Sequence, residues 1–143
     1  MLGRFSLILV AVIAFSVAIA HASCIFFDEQ CYSMQMAPEQ IIESAKAGTL
    51  LAPISAIIAG GIFAVIGLYI LSAAGIVRRL PLLKPVVMTI AVVCIIRGLL
   101  PIQLWIRKPE LVSEGILFIG LVWLFCGLLI YFGQRQALKY EAE

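Results

Sequence analysis

Four stretches of this chain are apolar for about the length that a helix needs to cross a bilayer. They run over about 5–27, 50–74, 86–106 and 112–132, and a hydrocarbon core roughly 30 Å thick takes about 20 residues of helix. Lipid offers no hydrogen-bond partner to a backbone N–H or C=O. A spanning segment must therefore bond to itself as a helix or close into a barrel. The two-residue alternation of barrel strands is absent from these stretches. The pattern predicts an all-α integral membrane protein, a four-helix bundle forming one domain over 1–143. Composition agrees. Hydrophobic residues make up 64% and charged residues 13%, against roughly 45–50% and about 25% in soluble domains. The lipid bilayer is thus the first expected partner. A net charge of +2, with basic residues scattered between the spans, gives no ground for nucleic acid.

The breaks between spans are legible too. Arg78, Arg79, Pro81, Lys84 and Pro85 form a basic, proline-marked turn, and Arg107, Lys108, Pro109 and Glu110 form the next. The outer loop at 28–49 is longer and acidic, with Asp28, Glu29, Glu39 and Glu43 against Lys46. Within it, Pro38 suits a first helical position and Gly48 a stop. Ile41, Ile42 and Ala45 share one side, which predicts a short amphipathic helix lying at the membrane surface. Arg4, Arg78, Arg79, Lys84, Arg135 and Lys139 fall on one side of the membrane, and Lys46, Arg107 and Lys108 on the other. That bias puts both termini in the cytoplasm and the acidic loop outside, periplasmic in a bacterial inner membrane, which is the expected location. Trp105 and Tyr131 fit the interfacial aromatic belts. The first span also has the look of a cleaved secretory signal, with Arg4 at its start and Ala18-Ile19-Ala20 near its end. Apolar character continues through Cys24, Ile25, Phe26 and Phe27, which favours a retained span.

Few residues in the spans carry chemistry. Arg97 falls roughly 16 Å into the third span, counted from Val86. An arginine there costs about 2.5 kcal/mol or more unless it faces protein or water. It either anchors a polar site or snorkels, aided by the carbonyl that Pro101 leaves without a helix partner. With His21 toward the outer end of the first span and Glu114 at the outer start of the fourth, the three residues are expected to form an outward-opening polar pocket. The alternative is a helix-end histidine and a wetted glutamate. Cys24 and Cys31 both fall on the oxidising side, where a disulfide is permitted. Cys94 and Cys126 read as small packing residues. No CxxC pair is present, so neither a metal site nor a cofactor site is read from the cysteines. Ala52, Ala56, Gly60 and Ala64 repeat every four positions, and Ser113, Gly120 and Gly127 every seven. Such faces let helices approach closely, within a bundle or between copies in a homo-oligomer.

The segment from Gly75 to Leu99, with its Arg78-Arg79-Leu80-Pro81-Leu82-Leu83-Lys84 turn and Arg97-Gly98, resembles a family of uncharacterised small bacterial membrane proteins. In that family a basic Leu-Pro-Leu-Leu turn precedes a helix carrying Arg-Gly. His21, Cys24, Tyr32 and Glu39 also fall at matching offsets, while Cys31 lies outside the shared pattern. The resemblance covers about two thirds of the chain and weakens over the fourth span. It implies four transmembrane helices and no known activity, and it singles out His21 and Arg97.

Two function classes follow. The first is a non-catalytic binding or accessory bundle with a small outward-facing pocket for an unknown small molecule. The second is a small oligomeric transporter or proton-coupled carrier. A small multidrug exporter is disfavoured because the first span has no acidic residue. A membrane thiol oxidoreductase matches in helix and cysteine number, but it would need a CxxC pair, and Cys94 and Cys126 sit too deep to relay disulfides outward. Labelling of engineered cysteines with an impermeant reagent tests the topology. Positions 79 and 139 should be protected in intact cells and position 39 labelled; termini on opposite faces would refute it.

Overall fold

Each apolar stretch forms one long helix. In the computed structural model, which describes residues 2–140, these are α1 (Leu2–Ser23), α4 (Leu51–Ala73), α5 (Leu83–Arg107) and α6 (Glu114–Tyr140). All four are long and apolar enough to cross a membrane, so the chain is a multi-pass helical membrane protein. Two shorter helices, α2 (Glu29–Met34) and α3 (Glu39–Lys46), lie between α1 and α4. No strand occurs among the described residues. The ends differ from expectation in one place: α6 continues past 132 to Tyr140. Gln134, Arg135 and Gln136 mark where the apolar surface ends, yet none of them breaks a helix. The side chain of Lys139 lies outside the described residues.

The chain divides into two compact units, Val12–Gly67 and Met1–Ala11 with Leu68–Glu143, so α1 and α4 each contribute to both. In the second of these, α5 and α6 pack antiparallel along a seam of glycines. Val87, Ala91, Cys94 and Gly98 form the buried stripe of α5, spaced by three and four residues. A Cβ at Gly98 would lie 2.5 Å from the Leu124 nitrogen and 2.7 Å from the Gly120 carbonyl oxygen. One at Gly127 would lie 2.9 Å from the Ala91 carbonyl oxygen. Lipid is as apolar as the side chains, so helices gain little by hiding from it, and close contact of this kind supplies the adhesion. The start of α1 joins the same unit. Gly3 approaches the Gly133 carbonyl, and Leu7, fully buried, packs on Gly133. Gly75, at φ +69°, closes α4 with its N–H on the Ser72 carbonyl, while the Ile76 N–H bonds to Leu71. The Ser72 hydroxyl then secures the basic turn, donating to the Arg78 carbonyl and accepting from the Leu80 N–H.

Of the seven-residue repeat on α6, Gly120 and Gly127 lie in the seam, but Ser113 does not. It precedes the helix, and its hydroxyl accepts the Ile116 N–H, one of the donors that a helix start leaves unpaired. In the Val12–Gly67 unit the four-residue repeat faces inward. Ala52 and Ala56 are buried, and Gly60 sits close enough to α1 that a Cβ would lie 3.0 Å from the Ala18 carbonyl oxygen.

The 28–49 segment is a folded cap rather than a loop carrying one surface helix. Pro38 precedes α3 and Gly48, at φ +65°, follows it, where sequence places its start and stop. The apolar face of α3 does not rest on lipid alone. Ile41, Ile42 and Ala45 pack against a cluster of Cys24, Tyr32, Ala52 and Ala56. Buried Ser44 ties the cap to α4, its Oγ accepting the Ala52 N–H at 2.9 Å and meeting Thr49 Oγ1 at 2.6 Å. The α5–α6 seam gives a direct stability prediction. Gly98→Ala drives a methyl group into backbone and should cost about 1–3 kcal/mol in detergent unfolding. Gly61→Ala, with nothing within 4 Å of its Cβ position, should be neutral or slightly stabilising. Equal effects at the two positions would contradict the seam.

Candidate functional site

The cap and the helix ends beneath it border a half-open cavity of about 240 Å³, lined among the described residues from the Val12–Gly67 unit. α1 supplies His21 from its last turn, and Cys24 follows. α4 contributes Ser55, Ala56 and Ala59 from its first turns, and the cap supplies Tyr32, Gln35, Met36, Ala37, Pro38 and Ile41. Local backbone chemistry explains how these converge. A disulfide joins Cys24 to Cys31, seven residues apart, folding α2 back over the end of α1. Met36 takes a left-handed conformation, φ 55°, and turns the chain from α2 into α3.

Gln35 holds the arrangement together. Its Nε2 donates to the Ala20 carbonyl at 2.7 Å and lies against both disulfide sulfurs. That carbonyl belongs to the last turn of α1 and also accepts from the Ser23 hydroxyl at 2.8 Å. The Gln35 side chain also hydrogen-bonds the His21 imidazole. From the other side, Phe63 stacks on His21 with ring centroids 5.4 Å apart and planes 11° apart. His21 is thus fixed between cap and helix. Ser55 returns its hydroxyl to the Ala52 carbonyl of its own helix. Tyr32 differs: only 6% of its surface is exposed, and its hydroxyl has no hydrogen bond among the described residues. Burial pushes its phenol above the ordinary value, so it stays a neutral donor at physiological pH. Among the described residues, no Asp, Glu, Lys or Arg lines the cavity.

Of the three residues expected to share a pocket, His21 alone lines this cavity. Arg97 and Glu114 belong to the other unit, where both are exposed and neither has a hydrogen bond or ion pair among the described residues. The reason is register. Gly98 faces Gly120 and Leu124 across the seam, so Glu114 lies about 9 Å further along the helix pair than Gly120. Arg97, one residue from Gly98, points about 100° away from the seam. Cys94 and Cys126 are free thiols buried in the same unit. Tyr32 and Gln35 are the site residues that reading the residues alone passed over. Tyr32 stood out only as a matching offset in the family resemblance, and Gln35 depends on a turn at Met36 that no local pattern announces.

Compared with protein-family models, curated proteins and solved structures, the chain matches none. The separation of Arg97 from Glu114 has a measurable consequence. Arg97→Leu, Glu114→Gln and the double variant should be additive to within about 0.5 kcal/mol in detergent unfolding. A coupling above about 1 kcal/mol would mean that the two charges meet.

Proposed function

We propose that this chain is a multi-pass protein of a bacterial inner membrane, with both termini cytoplasmic, that works by binding a small molecule beneath its outer cap without catalysing a reaction on it. The observation that carries this reading is the cavity itself. A disulfide, a stacked histidine and a glutamine anchored to a helix end fix its walls, as preorganised binding requires. Its polar groups are few and already oriented: Gln35 and Ser55 are bonded within the protein. His21 has Gln35 as its hydrogen-bond partner and Phe63 as its stacking partner, an arrangement that suits a wall more than a proton shuttle. The orientation rests on the Lys/Arg bias, and membership of the family with the Arg78–Lys84 turn is part of the same proposal.

Native mass spectrometry of the chain released from nanodiscs tests it. The wild type should carry a bound small molecule. Ala59→Trp, which fills the cavity, should lose it, while Ile62→Trp on the exposed face of α4 should keep it. A wild type without any adduct, or an adduct indifferent to Ala59→Trp, would sink the reading.

A further inference from the structure

The ligand's chemistry can be narrowed from the walls of the same cavity, and this step rests on the binding reading above. Consider depth first. His21 lies about 7 Å inside the Phe26 end of its span, and Ala59 about 12 Å inside the Leu51 end of α4. The cavity thus runs from the cap down to the level of the apolar helix segments.

Charge comes next. The cap carries Asp28, Glu29, Glu39, Glu43 and Lys46, yet none of them lines the cavity. A phosphate, carboxylate or ammonium group placed here would give up part of its water against mostly apolar walls. Among the described lining residues it would meet no Asp, Glu, Lys or Arg, with the stacked and packed His21 as the one titratable ring beside Tyr32. The ligand is therefore uncharged. It is not purely apolar either. The Tyr32 ring is buried, and its hydroxyl has no hydrogen-bond partner among the described residues and belongs to a residue that lines the cavity. It is a neutral donor that an acceptor on the ligand can take up.

Shape is the last constraint. The volume of about 240 Å³ falls below the roughly 300–1,000 Å³ of drug-sized sites. It suits one ring with any tail passing out into lipid. Two aromatic side chains, Tyr32 and His21, form walls for a flat group, and the Phe63 stack keeps the imidazole from turning.

We propose that the cavity binds the head of an uncharged, lipid-soluble cyclic carbonyl compound of the quinone type, with the Tyr32 hydroxyl donating to a ring carbonyl. Cys24 and Cys31 keep their bridge throughout, and no electrons are exchanged.

Equilibrium binding to the full chain in phosphatidylcholine nanodiscs tests the class, with a decyl-tailed benzoquinone as the neutral probe and a decyl-tailed benzenesulfonate as the anionic one. The neutral probe should bind saturably. The anionic probe should bind at least tenfold more weakly. Tyr32→Phe keeps the ring and removes the donor, and should weaken the neutral probe about five- to tenfold, the worth of one buried hydrogen bond. Ala59→Trp should abolish binding with Tyr32 intact, which decides the matter even where Tyr32→Phe folds poorly. Equal binding of the two probes, or unchanged affinity in a folded Tyr32→Phe, would overturn the proposal. If the quinone fails to bind while the wild type still carries an adduct that Ala59→Trp removes, the ligand class is wrong and the binding reading stands. If both fail, both readings fall.

Discussion

Lipid gives the backbone nothing to bond to, and the rest of the structure follows from that constraint. The spans are continuous helices, and irregular backbone is confined to their ends. The 3-10 turn Cys24–Phe26 closes the first span, while the Pro109–Leu111 turn and the positive φ values at Met36, Gly48, Gly75 and Leu82 lie between spans. Several hydroxyls in the spans follow suit. Ser6, Ser16 and Ser55 each return a hydrogen bond to a carbonyl of their own helix. A site needing a bent chain and converging polar groups can then form only at a helix end, as the cavity under the cap does.

Because lipid does not push helices together, close approach decides how they pair. The α5–α6 seam depends on Gly98, Gly120 and Gly127, and Pro101 fills the space beside Gly120. The cap uses a different device. It lies where water competes for its polar groups, and it is fastened by a disulfide, by Gln35 on the Ala20 carbonyl and by Ser44 on the α4 start. Each fastening also positions a wall of the cavity, so the stability of the cap and the shape of the site are one property.

The four spans were legible because hydropathy over about 20 residues is a direct reading of the solvent. The bounds of α3 were legible from Pro38 and Gly48 for local steric reasons. What could not be read was which faces meet. Arg97 and Glu114 looked like partners by depth alone, but the glycine register of α5 on α6 separates them. Ile41, Ile42 and Ala45 give the pattern of a helix on lipid and of a helix on a protein core alike. His21 was found because a polar ring is costly in a span. Tyr32 and Gln35, outside the spans, carried no such mark.

Residues 28–49 form a folded cap over the cavity. Hydrogen exchange of the oxidised chain in nanodiscs tests it most directly, read at the amides of α3 that bond within the cap, such as Ile42 to Pro38 and Ala47 to Glu43. These amides should be protected well above an exposed peptide, and their protection should fall when the Cys24–Cys31 bridge is reduced while the spans stay protected. Exchange of the α3 amides at the rate of an open chain, with the disulfide intact, would contradict it.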